Sequence, residues 1–149
     1  KILSNKILES RIRYDAMIAI TGGGLVPARL LRNYLKIPIY CVNIKYYDEN
    51  DNILSNPNVV QWLSKSEINY LQHKNVLIVD DLNDTGSTID LVVDLLTKTY
   101  TSKMKPINCN HLGLAVLYDK IKNKNKLNKS ISYYKTKDID DNWVVFPWE

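Results

Sequence analysis

Cysteine and histidine are scarce in this chain, with two of each among 149 residues. Cys41 and Cys109 have no metal-ligand spacing, which excludes a zinc-stapled or disulfide-stapled scaffold, and Cys41 falls inside an apolar strand pattern as a small core residue. Long apolar runs are missing as well. No stretch reaches the ~20 residues that a membrane-spanning helix needs. The opening Lys1-Ile-Leu-Ser-Asn-Lys6 lacks the apolar core of a secretory signal. A reducing cytoplasm is the expected compartment. A chain of this length buries a core unaided, so one domain spanning residues 1–149 is expected.

A strong charge of one sign is absent too. The formal net charge is +4, and much of it comes from Lys120, Lys122, Lys124, Lys126 and Lys129 in one Asn-rich stretch. Most such runs are solvated loops. No aromatic residues are interleaved there and no RNA-binding signature accompanies them, so an RNA-binding module ranks last among the functional readings.

What the chain does hold is concentrated in Val76-Leu-Ile-Val-Asp-Asp-Leu-Asn-Asp-Thr-Gly-Ser-Thr88. Val76 to Val79 is a short β-branched and aliphatic run, the pattern of a strand buried on both faces. Asp80 and Asp81 follow at its carboxyl end, where open α/β sheets place their ligands. Asp84-Thr85-Gly86-Ser87-Thr88 then supplies hydroxyls, a glycine that admits a close approach, and the first amides of a helix. Such a turn suits a phosphate monoester. Helix capping alone needs one such residue, whereas positions 80–88 hold three carboxylates, three hydroxyls and a glycine.

The rest of the chain alternates. Leu3, Ile7, Leu8 and Ile12 predict an amphipathic helix ending near Arg11, and Ala16 to Thr21 reads as a buried strand running into Gly22-Gly23-Gly24. Pro27 suits the first turn of a helix whose expected apolar face is Val26, Leu30, Leu31 and Leu35. Strands are expected at Pro38–Ile44, Val59–Trp62, Leu112–Tyr118, Ser130–Tyr134 and Trp143–Phe146, with a polar, flexible stretch from Tyr47 to Pro57. Ser64 and Glu67 have capping-box spacing ahead of Ile68 and Leu71, and Ile89, Val92, Val93 and Leu96 share a helix face. Strands alternating with helices imply a mainly parallel central sheet flanked by helices, an α/β fold with right-handed crossovers. The loops after Thr21, Tyr47, Val79 and Tyr118 then converge at one edge. Neither His73 nor His111 falls in a converging loop.

The acidic segment resembles the 5-phosphoribosyl-1-pyrophosphate (PRPP) fingerprint of the type I phosphoribosyltransferases, and from Ala16 to Glu149 the chain is similar to the 6-oxopurine salvage branch of that family. The resemblance implies that Asp80 and Asp81 bind the ribose hydroxyls and that Asp84, Thr85, Gly86, Ser87 and Thr88 wrap the 5′-phosphate. Thr21, Gly22, Gly23 and Gly24 match the pyrophosphate loop, with Gly22 where the family usually carries arginine. Losing that guanidinium weakens PRPP binding by about 1.5–3 kcal/mol unless Lys45 or Arg29 replaces it. Leu117-Tyr118-Asp119-Lys120 and Asn142-Trp143-Val144 match the base-handling segments, in which a lysine meets purine O6 and a tryptophan covers the ring. Tyr46-Tyr47-Asp48 is similar to a closing lid, and roughly residues 120–149 with the N-terminal segment would form a small hood. Trp62 and Trp148 are left to packing.

The implied reaction transfers 5-phosphoribosyl from PRPP to xanthine, hypoxanthine or guanine. The acid pair would stabilise an oxocarbenium-like sugar. Asp84 is the general base, and Mg²⁺ is the cofactor, held by Asp81 directly or through water. A non-catalytic PRPP- or nucleotide-binding regulator on the same fold is the alternative. Fold alone does not separate the two. A homodimer is the default assembly, and the purine preference is left open.

Overall fold

A computed structural model describes residues 1–47, 53–98, 107, 111–122 and 130–148, with Tyr47 and residues 53–56 described by backbone alone. Cys109, Asp48, Lys124, Lys126, Lys129 and Glu149 lie outside the described residues. The elements run α1 (Ile2–Glu9), β1 (Ala16–Ile20), α2 (Leu25–Leu35), β2 (Ile39–Tyr47), β3 (Ile53–Gln61), α3 (Lys65–Leu71), β4 (Val76–Asn83), α4 (Ser87–Thr97), β5 (Leu112–Lys120) and β6 (Ser132–Ile139). The strands form a six-stranded sheet in the order β3-β2-β1-β4-β5-β6. All neighbours are parallel except β2 and β3.

Strand alternation splits the core between two faces of this sheet. Ile18, Ile78, Leu114 and Val116 point to one face, where Ile89, Val92 and Leu96 of α4 and Leu71 of α3 cover them. Met17, Ala19, Leu77, Val79 and Ala115 point to the other, under Leu3 and Ile7 of α1 and Ala28 and Leu31 of α2. Both faces being covered explains why β1 and the first half of β4 read as unbroken apolar runs. The capping box of α3 forms as its spacing predicts, with Glu67 N donating to Ser64 Oγ and Ser64 N donating to Glu67.

Several elements differ from the sequence reading. Leu30 is 57% exposed and Leu8 56%, because the buried stripes run through Pro27, Ala28 and Leu31 and through Leu3, Ser4 and Ile7. The stretch after Tyr47 returns as β3, an antiparallel edge strand. Its polar sequence carries no alternation, and Pro57 is tolerated because an edge strand leaves one row of amides unpaired. β4 continues past Val79 to Asn83, so both acids lie within a strand whose register pairs Asp80 with Val116 and Asn83 with Asp119. β6 begins at Ser132 and runs on to Ile139, and Trp143–Phe146 is irregular rather than a strand.

Candidate active site at the carboxyl ends of β1, β4 and β5

The parallel register brings the ends of β1 and β4 side by side, and glycine lets their loops touch. A Cβ on Gly23 would lie 2.1 Å from the Asp81 carboxyl group, and one on Gly24 would lie 2.4 Å from the Val79 carbonyl oxygen. Only glycine allows the triglycine turn to press against the acid pair. Gly22 sits at φ +95°, and a Cβ there would meet no other atom within 4 Å. Of the two cations that could replace the missing arginine, Arg29 donates to Asn33 at 2.8 Å, and Lys45 is exposed on β2. The Thr21 hydroxyl is buried without a hydrogen-bond partner among the described residues.

Asp81 is 6% exposed, and its amide donates to Asp80 Oδ1 at 3.0 Å. Burial, then the neighbouring Asp81 charge, pushes the Asp80 carboxyl well above the usual carboxylate range. Two adjacent carboxylates out of water repel each other, so the pair favours ligands that supply donors or positive charge.

Downstream, Gly86 takes φ +86° to turn the chain into α4, and Ser87 N donates to Thr85 Oγ1 at 3.3 Å. A cavity of about 60 Å³ opens here, lined by Asp80, Asp84, Thr85, Gly86, Ser87 and Thr88 among others. Its lining of hydroxyls and of the first residues of α4 suits an anion. Tyr46 OH donates to the Ser87 carbonyl at 2.7 Å, which fastens β2 to the first turn of α4.

On the far side, Lys120 is 5% exposed at the end of β5. Its Nζ lies 3.2 Å from Asp84 Oδ2 and 3.3 Å from Asp141 Oδ1. Lys122 pairs with Asp84 Oδ1 and lies 2.9 Å from Asp141 Oδ1. Burial raises the Asp84 pKa, but hydrogen bonds from Lys122 and Lys120 outweigh it and hold the carboxyl below its ordinary value. Trp143 is 87% exposed. Val144 lines a cavity of about 610 Å³ with Tyr118, Asp140, Asn142 and Phe146.

Sequence reasoning passes over three groups. Lys122 and Asp141 are hidden because one belongs to a lysine-rich run and the other to a string of acids; the spacing of two between Lys120 and Lys122 is the available signal. Asn83 donates to Asp119 at 2.9 Å and to Tyr133 at 3.1 Å, and Lys135 donates to Asp119 at 3.1 Å, in a network that spans β4, β5 and β6. Phe146 stacks between Tyr118 and Trp148, with ring centroids 5.9 and 4.9 Å away, and the Trp148 indole N–H approaches Asp81 Oδ2 at 3.4 Å. Trp148 therefore packs as expected but also touches the acid pair.

Comparison with known proteins gives the family. The phosphoribosyl transferase domain model matches residues 1–149. The chain is 36% identical to the hypoxanthine-guanine phosphoribosyltransferase of Schizosaccharomyces pombe, covering 98% of this chain and 81% of that protein. It is 32% identical to xanthine phosphoribosyltransferase 1 of Saccharomyces cerevisiae, covering 99% and 82%. A crystal structure of a Neisseria gonorrhoeae protein with bound ppGpp superposes with a TM-score of 0.79 at 37% identity, covering 99% of this chain and 80% of that one. By its sheet, its acidic fingerprint and these relatives, the chain belongs to the phosphoribosyl transferase domain family.

Proposed function

We propose that this chain is a purine phosphoribosyltransferase that moves the 5-phosphoribosyl group from PRPP to a 6-oxopurine, releasing pyrophosphate. The observation that carries this reading is the junction of β4 and α4, where an acid pair adjoins a hydroxyl-lined cavity at the start of a helix. The names of the S. pombe and S. cerevisiae relatives supply the purine class.

In this reading Asp80 and Asp81 accept hydrogen bonds from the ribose hydroxyls, and their charge favours the cationic sugar that forms as the C1–O bond to pyrophosphate lengthens. Residues 84–88 take the 5′-phosphate through hydroxyls, amides and the positive end of α4. The amides of residues 21–24 take the pyrophosphate. Lys120 donates to purine O6, Asp84 accepts the imidazole proton, and the exposed Trp143 ring covers the base beside Val144, a stack worth about 1–3 kcal/mol. Tyr46 and Tyr47 are the stem of a lid that keeps water from the activated sugar. Of the hood expected from roughly residues 120–149 and the N-terminal segment, residues 120–122 and 130–148 are described. Lys6 Nζ donates to the Lys135 carbonyl at 2.7 Å and Tyr134 OH donates to Ser10 at 2.9 Å, which ties α1 to β6.

Mg²⁺ fits the donor set. Among the described residues no cluster of three or more His, Cys, Asp or Glu gathers to hold a metal alone, whereas one or two carboxylates completed by phosphate oxygens and water is how Mg²⁺ is usually held. Asp81 is the assigned ligand, directly or through water. When bound, the ion neutralises charge on the departing pyrophosphate.

No helix among the described residues is long and apolar enough to cross a membrane; we place the enzyme in the cytoplasm as a homodimer. The ppGpp bound to the N. gonorrhoeae relative carries a guanine base and pyrophosphate groups, so ppGpp is an expected competitor of PRPP. The test is a spectrophotometric assay with PRPP, Mg²⁺ and xanthine, hypoxanthine or guanine. Nucleotide formation with at least one base is expected. No turnover with any base, alongside PRPP binding, would favour the regulator instead.

A further inference from the structure

A carboxylate takes a proton less readily when ammonium groups pair with it, and both oxygens of Asp84 face ammonium groups. Lys120 cannot answer by moving into water, because its side chain is only 6% exposed. A second anion stands ready. Asp141, just beyond β6, lies within 3.3 Å of Lys120 and 2.9 Å of Lys122, and its own side chain is 51% exposed. Two lysines and two aspartates thus form a neutral group in which each cation has two anionic partners.

We propose that Asp141 is a positioning residue that keeps Lys120 and Lys122 paired when Asp84 turns to the purine, leaving Asp84 basic enough to take the imidazole proton. This inference rests on the transferase reading and deepens it by naming what sets the base. The charge count gives the sign. With Asp141 present, protonation of Asp84 takes the group from neutral to a charge of +1. With Asp141 neutralised, the same proton would take it from +1 to +2, which opposes protonation. The groups around Asp84 are Lys120 at the end of β5 and Lys122 after it, Asp141 beyond β6 paired to both lysines and, across the small cavity, Asp80 of β4. Asp90 of α4 lies near Gly86, in the same turn. The lysine hydrogen bonds that hold the Asp84 and Asp141 pKa values down are consistent with one shared group.

The experiment combines two readouts on the full chain: the ¹³C NMR titration midpoint of the Asp84 carboxyl group, and kcat against pH with PRPP, Mg²⁺ and the preferred base. In Asp141→Asn the midpoint falls, and the acid limb of kcat moves to lower pH. At neutral pH kcat drops by about three- to tenfold, a fraction of a full general-base contribution, while KM for PRPP is unchanged. In Lys122→Gln the midpoint rises and the limb moves the other way. Asp141→Glu restores both. Melting curves verify folding, and Lys122→Gln keeps the test decisive if Asp141→Asn does not fold. Midpoints that stay fixed, or that move the same way in both variants, would overturn the inference while normal wild-type turnover left the transferase reading standing. Opposite midpoint shifts in a protein with no turnover would support the electrostatic arrangement and refute the reaction.

Discussion

Replacing Gly23 with alanine tests how tightly the triglycine turn and the acid pair are fitted to each other. A Cβ built there meets the Asp81 carboxyl group at 2.1 Å, against an ordinary contact of 3.4 Å or more, so Asp81 or the turn must retreat by about 1.3 Å. The obstacle is the end of a side chain, so the fold survives, with a loss of about 1–3 kcal/mol from overpacking. Function does not survive in the same way. A displacement of about 1 Å in a preorganised site can cost 10²-fold, or roughly 2.7 kcal/mol. Mg²⁺·PRPP affinity is expected to fall about 100-fold in Gly23→Ala by calorimetry, with only a modest drop in Tm. Gly24→Ala is the contrast. Its Cβ meets the Val79 and Ile20 carbonyl oxygens at 2.4 and 2.6 Å, and this backbone cannot step aside without breaking β1 and β4. Gly24→Ala is therefore expected to lose folded protein before it loses affinity. Wild-type PRPP affinity in a folded Gly23→Ala would refute the claim that this contact shapes the site.

Other outcomes follow from the same geometry. Because burial and Asp81 raise the Asp80 pKa in the folded state, ionising Asp80 opposes folding, and that penalty grows as pH climbs from the unfolded value of about 3.9 toward the folded one. Asp80→Asn should thus raise Tm at pH 7, by ~2–4 °C per kcal/mol gained, converge with wild type in acid, and lose PRPP binding. Tyr46→Phe removes the donor to the Ser87 carbonyl, so KM for PRPP should rise by about three- to tenfold, the equivalent of one hydrogen bond, with kcat less affected. Gly22→Arg meets no steric obstacle but must adopt φ +95°. About 1–3 kcal/mol of backbone strain is carried with or without ligand, so Tm falls, while PRPP affinity is unchanged or, where the guanidinium reaches the phosphate in a charge-assisted hydrogen bond, tighter. A large gain in affinity with no loss of Tm would show that the turn relaxes freely.

Much of this site is legible in the sequence because its local signals and its tertiary setting agree. Val76–Val79 is apolar on every residue, so both its burial and its position in the sheet follow from pattern, and the acids after it could only stand near the ligand edge. The triglycine turn is legible as a loop at the ligand edge, whereas its close approach to the Asp81 carboxyl group depends on the register of β1 against β4. The end of β3 falls within the strand expected at Val59–Trp62, but its first half escapes a sequence reading because an edge strand needs neither alternation nor a full row of amides, and residues such as Asn56 and Pro57 look like loop. Leu30 falls outside the buried stripe of α2 because Pro27 and Ala28 complete that stripe, small residues that count little in a hydrophobicity pattern. The Asp84, Lys120, Lys122 and Asp141 group joins three segments separated in sequence. No single window contains it.

The central claim is that Asp80 and Asp81 grip the ribose of PRPP beside the phosphate cradle of residues 84–88. Calorimetric titration of Mg²⁺·PRPP into the wild type and into Asp80→Asn/Asp81→Asn addresses it most directly. Saturable binding by the wild type, and none by a double variant whose melting curve shows it folded, is the predicted result. Equal binding by both proteins, or no heat from the wild type, would contradict the claim.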